Sequence, residues 1–146
     1  MNQNQALMFT LVLAAIWLGF ILAISFMESW LKFRAKGVTL PIGLAIGNLV
    51  FKALNRVEWV LLVCILLLVF FSRSYFSETA QITLVVTGLL LLVQTLLFLP
   101  RLRKRAVRTI EGLQNPPSRV HLYYILAELI KTFCIAVLIA LLLLYR

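Results

Sequence analysis

Glu128 and Lys131 stand three residues apart inside the apolar run from His121 to Tyr145. An ionisable side chain at the centre of a bilayer costs about 2.5–3.5 kcal/mol on insertion scales, so two in one run need an account. The spacing is one helical turn, on the face of Tyr124, which lets the opposite charges pair and offset part of their desolvation. Two readings follow. Either Lys131 snorkels to headgroups at the nearer membrane surface, or Glu128 faces the interior of a helix bundle as a proton or cation site.

Other polar residues fall at the same depth. Glu28 ends the first apolar run and Glu58 begins the apolar part of the second, so three of the five acidic residues converge on one leaflet with Lys52, Arg56 and Lys131. Asn48 lies one turn before Lys52. Glu28, Asn48, Lys52, Glu58, Tyr124, Glu128 and Lys131 are therefore the candidate intramembrane polar site. Carboxylates with basic partners near a membrane interior bind cations, relay protons or hold a polar substrate head. They equally form ion-pair networks that fix helix register, and both readings stand. Glu78 and Glu111 are expected in loops.

Catalysis has little material. The chain has no Asp, its single His is His121, and no serine sits in a nucleophile turn. No enzyme, metal site or cofactor is expected, and a haem would want a second axial ligand. Cys64 and Cys134 lie deep in apolar runs without a C-x-x-C pattern and read as small apolar residues.

Composition names the solvent. Hydrophobic residues make up 63% and charged residues 13%, with a mean hydropathy of +1.04, against about 45–50% and 25% in soluble proteins. The net charge of +9 is bunched between apolar runs, where it orients membrane helices and meets anionic headgroups, so nucleic acid is not the expected partner.

About 20 apolar residues cross the hydrocarbon core. Helices are expected over about 6–27, 41–72, 79–100 and 121–145, joined by basic connections 28–40 and 101–120, as one membrane domain over 1–146. No Lys or Arg precedes the first run, which reads as a mature helix and not a signal peptide. The second is short in its fully apolar part, Val57 to Phe71, and is expected to borrow an amphipathic stretch from Pro41 onward. Lys32, Arg34, Lys36, Lys52 and Arg56 follow the first helix; Arg101, Arg103, Lys104, Arg105, Arg108 and Arg119 follow the third. The other side carries only Arg73 and Arg146. The expected fold is an all-α polytopic four-helix bundle in a cell inner membrane, with both termini on the non-cytoplasmic side. Arg101, Arg103, Lys104, Arg105 and Arg108 are its expected contacts with anionic lipid.

Small residues at spacings of four mark candidate packing faces: Ala15, Gly19 and Ala23; Gly43 and Gly47; Ala136 and Ala140. The spacing does not distinguish contacts within the bundle from contacts with a second copy or a membrane-protein partner. Trp17, in mid-helix away from the aromatic belts, marks a protein contact.

The run Trp17-Leu18-Gly19, then Lys32-Phe33-Arg34, then Gly43 to Asn55 with Val50-Phe51 and Leu54-Asn55, resembles the first half of small bacterial membrane proteins similar to the membrane domain of copper-resistance D proteins. The chain reads Glu28-Ser29-Trp30 where that pattern would have a Pro, and it lacks the His and Met ligands of a copper carrier. The resemblance implies a four-helix bundle without copper. Two functions fit: a non-enzymatic accessory or scaffold protein, or a small oligomeric transporter or channel using the polar residues as its pathway.

Overall fold

The computed structural model describes residues 2–144; Tyr145 and Arg146, expected at the end of the fourth helix, lie outside the described residues. Four long helices account for nearly all of the chain: α1 (Gln3–Arg34), α2 (Leu40–Phe71), α3 (Glu78–Ile110) and α4 (Val120–Leu144). No strand occurs among the described residues. Each helix packs on the next and α4 closes the ring against α1, an up-down-up-down square. Both ends of the chain therefore lie at one end of the bundle, and the basic segments lie at the other.

Local sequence explains the helix limits. Asn2 caps α1, its Oδ1 accepting from the Gln5 amide at 3.0 Å while Gln5 Oε1 accepts from the Asn2 amide at 3.2 Å. Pro41 sits in the first turn of α2, which runs unbroken to Phe71. The Ser77 hydroxyl caps α3 by accepting from the Ala80 amide at 3.2 Å. Glu78 is thus the first residue of α3, not a loop residue, and its carboxylate suits the positive end of the helix dipole.

The third helix departs from the sequence reading at Pro100. The helix does not stop there; it continues to Ile110, so the basic run Arg101 to Arg108 is helical. A proline inside a helix lacks a donor and crowds the preceding turn. The turn before it, Gln94–Phe98, is π-helical, and this wider winding absorbs the mismatch. Past Ile110 the chain reverses at Gly112 (φ 73°), with the Leu113 amide donating to Arg108 O at 2.8 Å and the Gly112 amide to Thr109 O at 3.1 Å. Glu111 is the C-cap residue of that turn. A second π-helical stretch, Leu22–Glu28, interrupts α1, which extends past the expected end at residue 27 to Arg34.

The surface belongs in lipid. Leu49, Phe70, Ile82, Leu89, Leu96 and Phe133 are among many large apolar side chains facing outward, and only 22–33% of the most apolar window of each helix is buried. The core from the chain ends inward is narrow and largely apolar, built from Ala6, Leu7, Ala14, Leu61, Leu62, Ile65, Ala80, Leu84, Leu91, Ile135, Leu138 and Leu142, with Thr10 and Thr87 buried among them.

The small-residue faces sort differently from one another. Gly43 and Gly47 are buried where α1 turns into α2: Phe33 lies where a Gly43 side chain would go, and the Lys32 ammonium lies 2.7 Å from the corresponding point on Gly47. Ala15, Gly19, Ala23, Ala136 and Ala140 instead face out of the bundle, and nothing approaches Gly19 within 4 Å. The internal contacts of α1 and α4 use other residues, because Trp17 and Lys131 fix which faces turn inward.

Gly43→Leu forces Phe33 from its place and is expected to destabilise the bundle by about 1–3 kcal/mol, the usual cost of overpacking. Unfolding in mixed detergent micelles measures this, and a loss below about 0.5 kcal/mol contradicts the close packing.

Candidate polar site

Four helices converge on the Lys131 ammonium. Its Nζ lies 2.6 Å from Glu58 Oε1 on α2, 2.8 Å from Gln94 Oε1 on α3 and 3.0 Å from Glu128 Oε1 on its own helix. An ammonium has three protons, and each has an acceptor. Two neutral donors complete the ring: Trp17 Nε1 on α1 donates to Glu58 Oε1 at 3.0 Å, and Gln94 Nε2 donates to Glu128 Oε1 at 3.0 Å. Lys131 is 0% exposed, Glu58 and Glu128 2% each, Gln94 1% and Trp17 0%. Lys131 therefore does not snorkel; its charge is held at the bundle axis.

The layer is level. Counted from the end of the bundle that holds the chain ends, Trp17, Glu58, Gln94 and Lys131 each lie about 20–24 Å along their helices at the standard rise. That is past the midplane of a hydrocarbon core of about 30 Å placed at the same end. Between the layer and the chain ends lies the largely apolar core.

Toward the basic end the surroundings are polar. Tyr124, one turn before Glu128, is buried beside Glu128 and Ser25 and packs edge-on against Phe51 with ring centroids 5.8 Å apart. Glu28 pairs with Lys32 at 3.1 Å, whose ammonium also faces the rings of Phe33 and Phe51 at 5.6 and 5.5 Å. Three buried oxygens in this region have no hydrogen-bond partner among the described residues: Glu128 Oε2, Ser25 Oγ and Glu28 Oε1.

The structure thus brings Glu58, Tyr124, Glu128 and Lys131 together. Glu28 stands one level further toward the basic end with its own partner, Lys32. Lys52 points outward and Asn48 is half-buried beside neither carboxylate pair, because the inward face of α2 is the line of Gly43, Gly47, Leu54, Glu58, Leu61 and Ile65. Gln94 is the residue that sequence reading missed. Its signal was an amide deep in the apolar run Thr79 to Leu99, well past Gln81 at the start of that run, where a polar side chain needs a partner on another helix. Thr95, next to it, turns to α2: Asn55 Nδ2 and Trp59 Nε1 donate to its Oγ1 at 2.8 and 3.0 Å, and it donates to Leu91 O at 2.8 Å.

Of the basic run, Arg101, Arg103 and Lys104 are exposed at the bundle end. Arg105 and Arg108 are turned back on the chain, donating to Pro116 O at 2.8 Å and Gln114 O at 3.1 Å. Asn115 Nδ2 donates to Thr109 Oγ1 at 2.7 Å across the same connection. These two arginines fasten the α3–α4 connection, a duty the exposed three do not share. His121 is exposed, and Cys64 and Cys134 are free thiols, partly buried, on different helices. No group of three metal-ligating side chains occurs among the described residues.

The recesses in the surface lie elsewhere. A shallow groove of about 430 Å³ between α2 and α3 is lined by Val63, Leu66, Phe70, Leu84 and Val85, with Arg73 and Gln81 at its mouth. It opens sideways and does not reach the layer.

The chain is an all-helical, four-span membrane bundle. Compared with family models, with curated proteins and with solved structures, it finds no match in any of the three.

Replacing Lys131 alone by Met leaves the buried acids Glu58 and Glu128 without their cation and is expected to cost about 3–5 kcal/mol. Combining it with Glu58→Gln and Glu128→Gln removes the charges together and is expected to recover most of that loss; unfolding free energies of the two variants decide. Trp17→Phe keeps the ring and removes one donor to a buried carboxylate, for an expected loss of about 1–3 kcal/mol by the same measurement.

Proposed function

We propose that this chain is a non-enzymatic accessory or scaffold component of a cell inner membrane, with its basic end in the cytoplasm and both termini outside. The observation that carries the reading is the closed polar layer. Side chains of α2, α3 and α4 meet at the Lys131 ammonium, and α1 joins them through Trp17, which donates to Glu58 Oε1. Such an arrangement locks four helices in depth and rotation, which suits a rigid body that presents fixed faces to other membrane proteins.

The orientation rests on the exposed Arg101, Arg103 and Lys104, with Lys36, Lys52 and Arg56, at one end of the bundle. Each basic residue near an anionic leaflet contributes about 1 kcal/mol of attraction. The partner-facing surface fits the outward line Ala15, Gly19 and Ala23 on α1, where small side chains let another helix approach closely. A transporter or channel through one bundle would have to cross the largely apolar core, about 20 Å of it at the helical rise. That length of close-packed aliphatic side chains favours the scaffold.

Gentle solubilisation of native membranes and affinity capture of the full chain is expected to yield a stoichiometric membrane partner. Gly19→Leu is expected to abolish its recovery while leaving the unfolding free energy within about 0.5 kcal/mol of the wild type. Recovery of the chain alone, together with ion or solute flux in proteoliposomes, overturns the scaffold reading.

A further inference from the structure

We infer that the polar layer is a proton-binding site: Glu128 carries a removable proton on Oε2, exchanged with the basic end of the bundle past Tyr124, Ser25 and Glu28. The inference does not depend on the scaffold reading.

Charge is the starting point. Two carboxylates and one ammonium, all within 2% exposure, leave a formal charge of −1 in the interior of the bundle. A bundle in lipid compensates such a charge with a second cation or with a proton. A metal ion has no place here, because Lys131 Nζ already touches both carboxylates directly, at 2.6 and 3.0 Å. The compensating charge must be one that needs no volume.

Hydrogen bonding says which oxygen takes it. Glu58 Oε1 accepts from Lys131 and Trp17, and Glu128 Oε1 accepts from Lys131 and Gln94. Glu128 Oε2 is the carboxylate oxygen of the layer that is fully enclosed without a partner. Protonated there, Glu128 keeps both bonds that Oε1 accepts, and its new O–H gains an acceptor in the hydroxyl of the adjacent Tyr124. The O–H bond forms with a proton drawn from water at the basic end, and the layer passes from −1 to neutral.

The route follows the unpartnered atoms. Ser25 Oγ and Glu28 Oε1, both on the π-helical stretch of α1, lie toward the basic end and lack partners as Glu128 Oε2 does. On the other side the core is mostly aliphatic, with Thr10, Thr87, Ser72 and Phe76 buried among it; Thr10 Oγ1 is also without a partner but carries no carboxyl beside it. Charged and titratable groups facing Glu128 are few. They are Glu28 with its partner Lys32 from α1, Glu58 from α2, none from α3, which offers Gln94, and Tyr124 and Lys131 from α4. The titratable groups beside the layer lie on its basic side, and proton exchange follows them to that end.

Infrared spectroscopy of the full chain in proteoliposomes tests this. At neutral pH the wild type is expected to show the C=O stretch of a protonated buried carboxyl, shifted down in D2O. Glu128→Gln is expected to remove the band and Glu58→Gln to retain it. Tyr124→Phe is expected to move its frequency, which decides the assignment should Glu128→Gln fail to fold. Glu28→Gln is expected to slow deuterium exchange at the band at least tenfold. No such band in the folded wild type, a band lost in Glu58→Gln but kept in Glu128→Gln, or a frequency indifferent to Tyr124→Phe overturns the site. An exchange rate unchanged in Glu28→Gln overturns the route.

Discussion

An ammonium in hydrocarbon must find three acceptors or the helix that carries it will not stay inserted. Lys131 finds them on α2, α3 and α4, and α1 enters through Trp17, which bonds the same carboxylate oxygen that the ammonium holds. The rest of the bundle follows from this requirement. Apolar packing in lipid is weakly directional, since lipid tails offer a helix much the same contact as a neighbouring helix does. A sliding or rotating helix would lose little dispersion energy and yet strand a charge. The layer therefore supplies what aliphatic contacts do not: one depth and one rotation for each of four helices.

Its consequences reach the irregular stretches of backbone. The π-helical turn Gln94–Phe98 begins at the residue that bonds Lys131 and Glu128, and it lets α3 continue beyond Pro100 into the basic segment. The matching stretch in α1, Leu22–Glu28, lies between Trp17 and the Glu28–Lys32 pair. Both wide turns lie between the layer and the basic end, and the helices are regular between the layer and the chain ends. The bundle is in this sense two structures joined at the layer: a tight apolar half, and a half with polar interior contacts and long cationic helix ends.

Much of this could be read from the residues alone. Four apolar runs of spanning length, a basic side and a charged pair one turn apart in the last run lead to an all-helical bundle in which Glu58, Glu128 and Lys131 share a level. What could not be read is which face of each helix turns inward. In α1 the small residues Ala15, Gly19 and Ala23 have the spacing of a packing seam, but Trp17 has the partner, and the indole turns that seam outward. In α2 Lys52 and Glu58 are both on the basic side of the midplane. Six residues put them about 240° apart around the helix at 3.6 per turn, so they cannot both face the axis. In α3 the amide of Gln94 carries no charge to draw notice, although it accepts from Lys131 and donates to Glu128. Pro100 read as a kink or an end, and composition does not choose between them because the widened turn that accommodates it, Gln94–Phe98, leaves no mark there.

The same geometry explains why the layer is the place for a change of state. Each apolar contact on the chain-end side is individually worth only about 0.1–0.2 kcal/mol per atom pair, whereas the Lys131 ammonium and the two Oε1 atoms are held by bonds to buried charge. Movement of one helix relative to another must break at least one bond to a buried charge. Adding or removing a proton at Glu128 changes the charge that the other three helices are bonded to, so the tightness of the ring follows the protonation of one carboxyl.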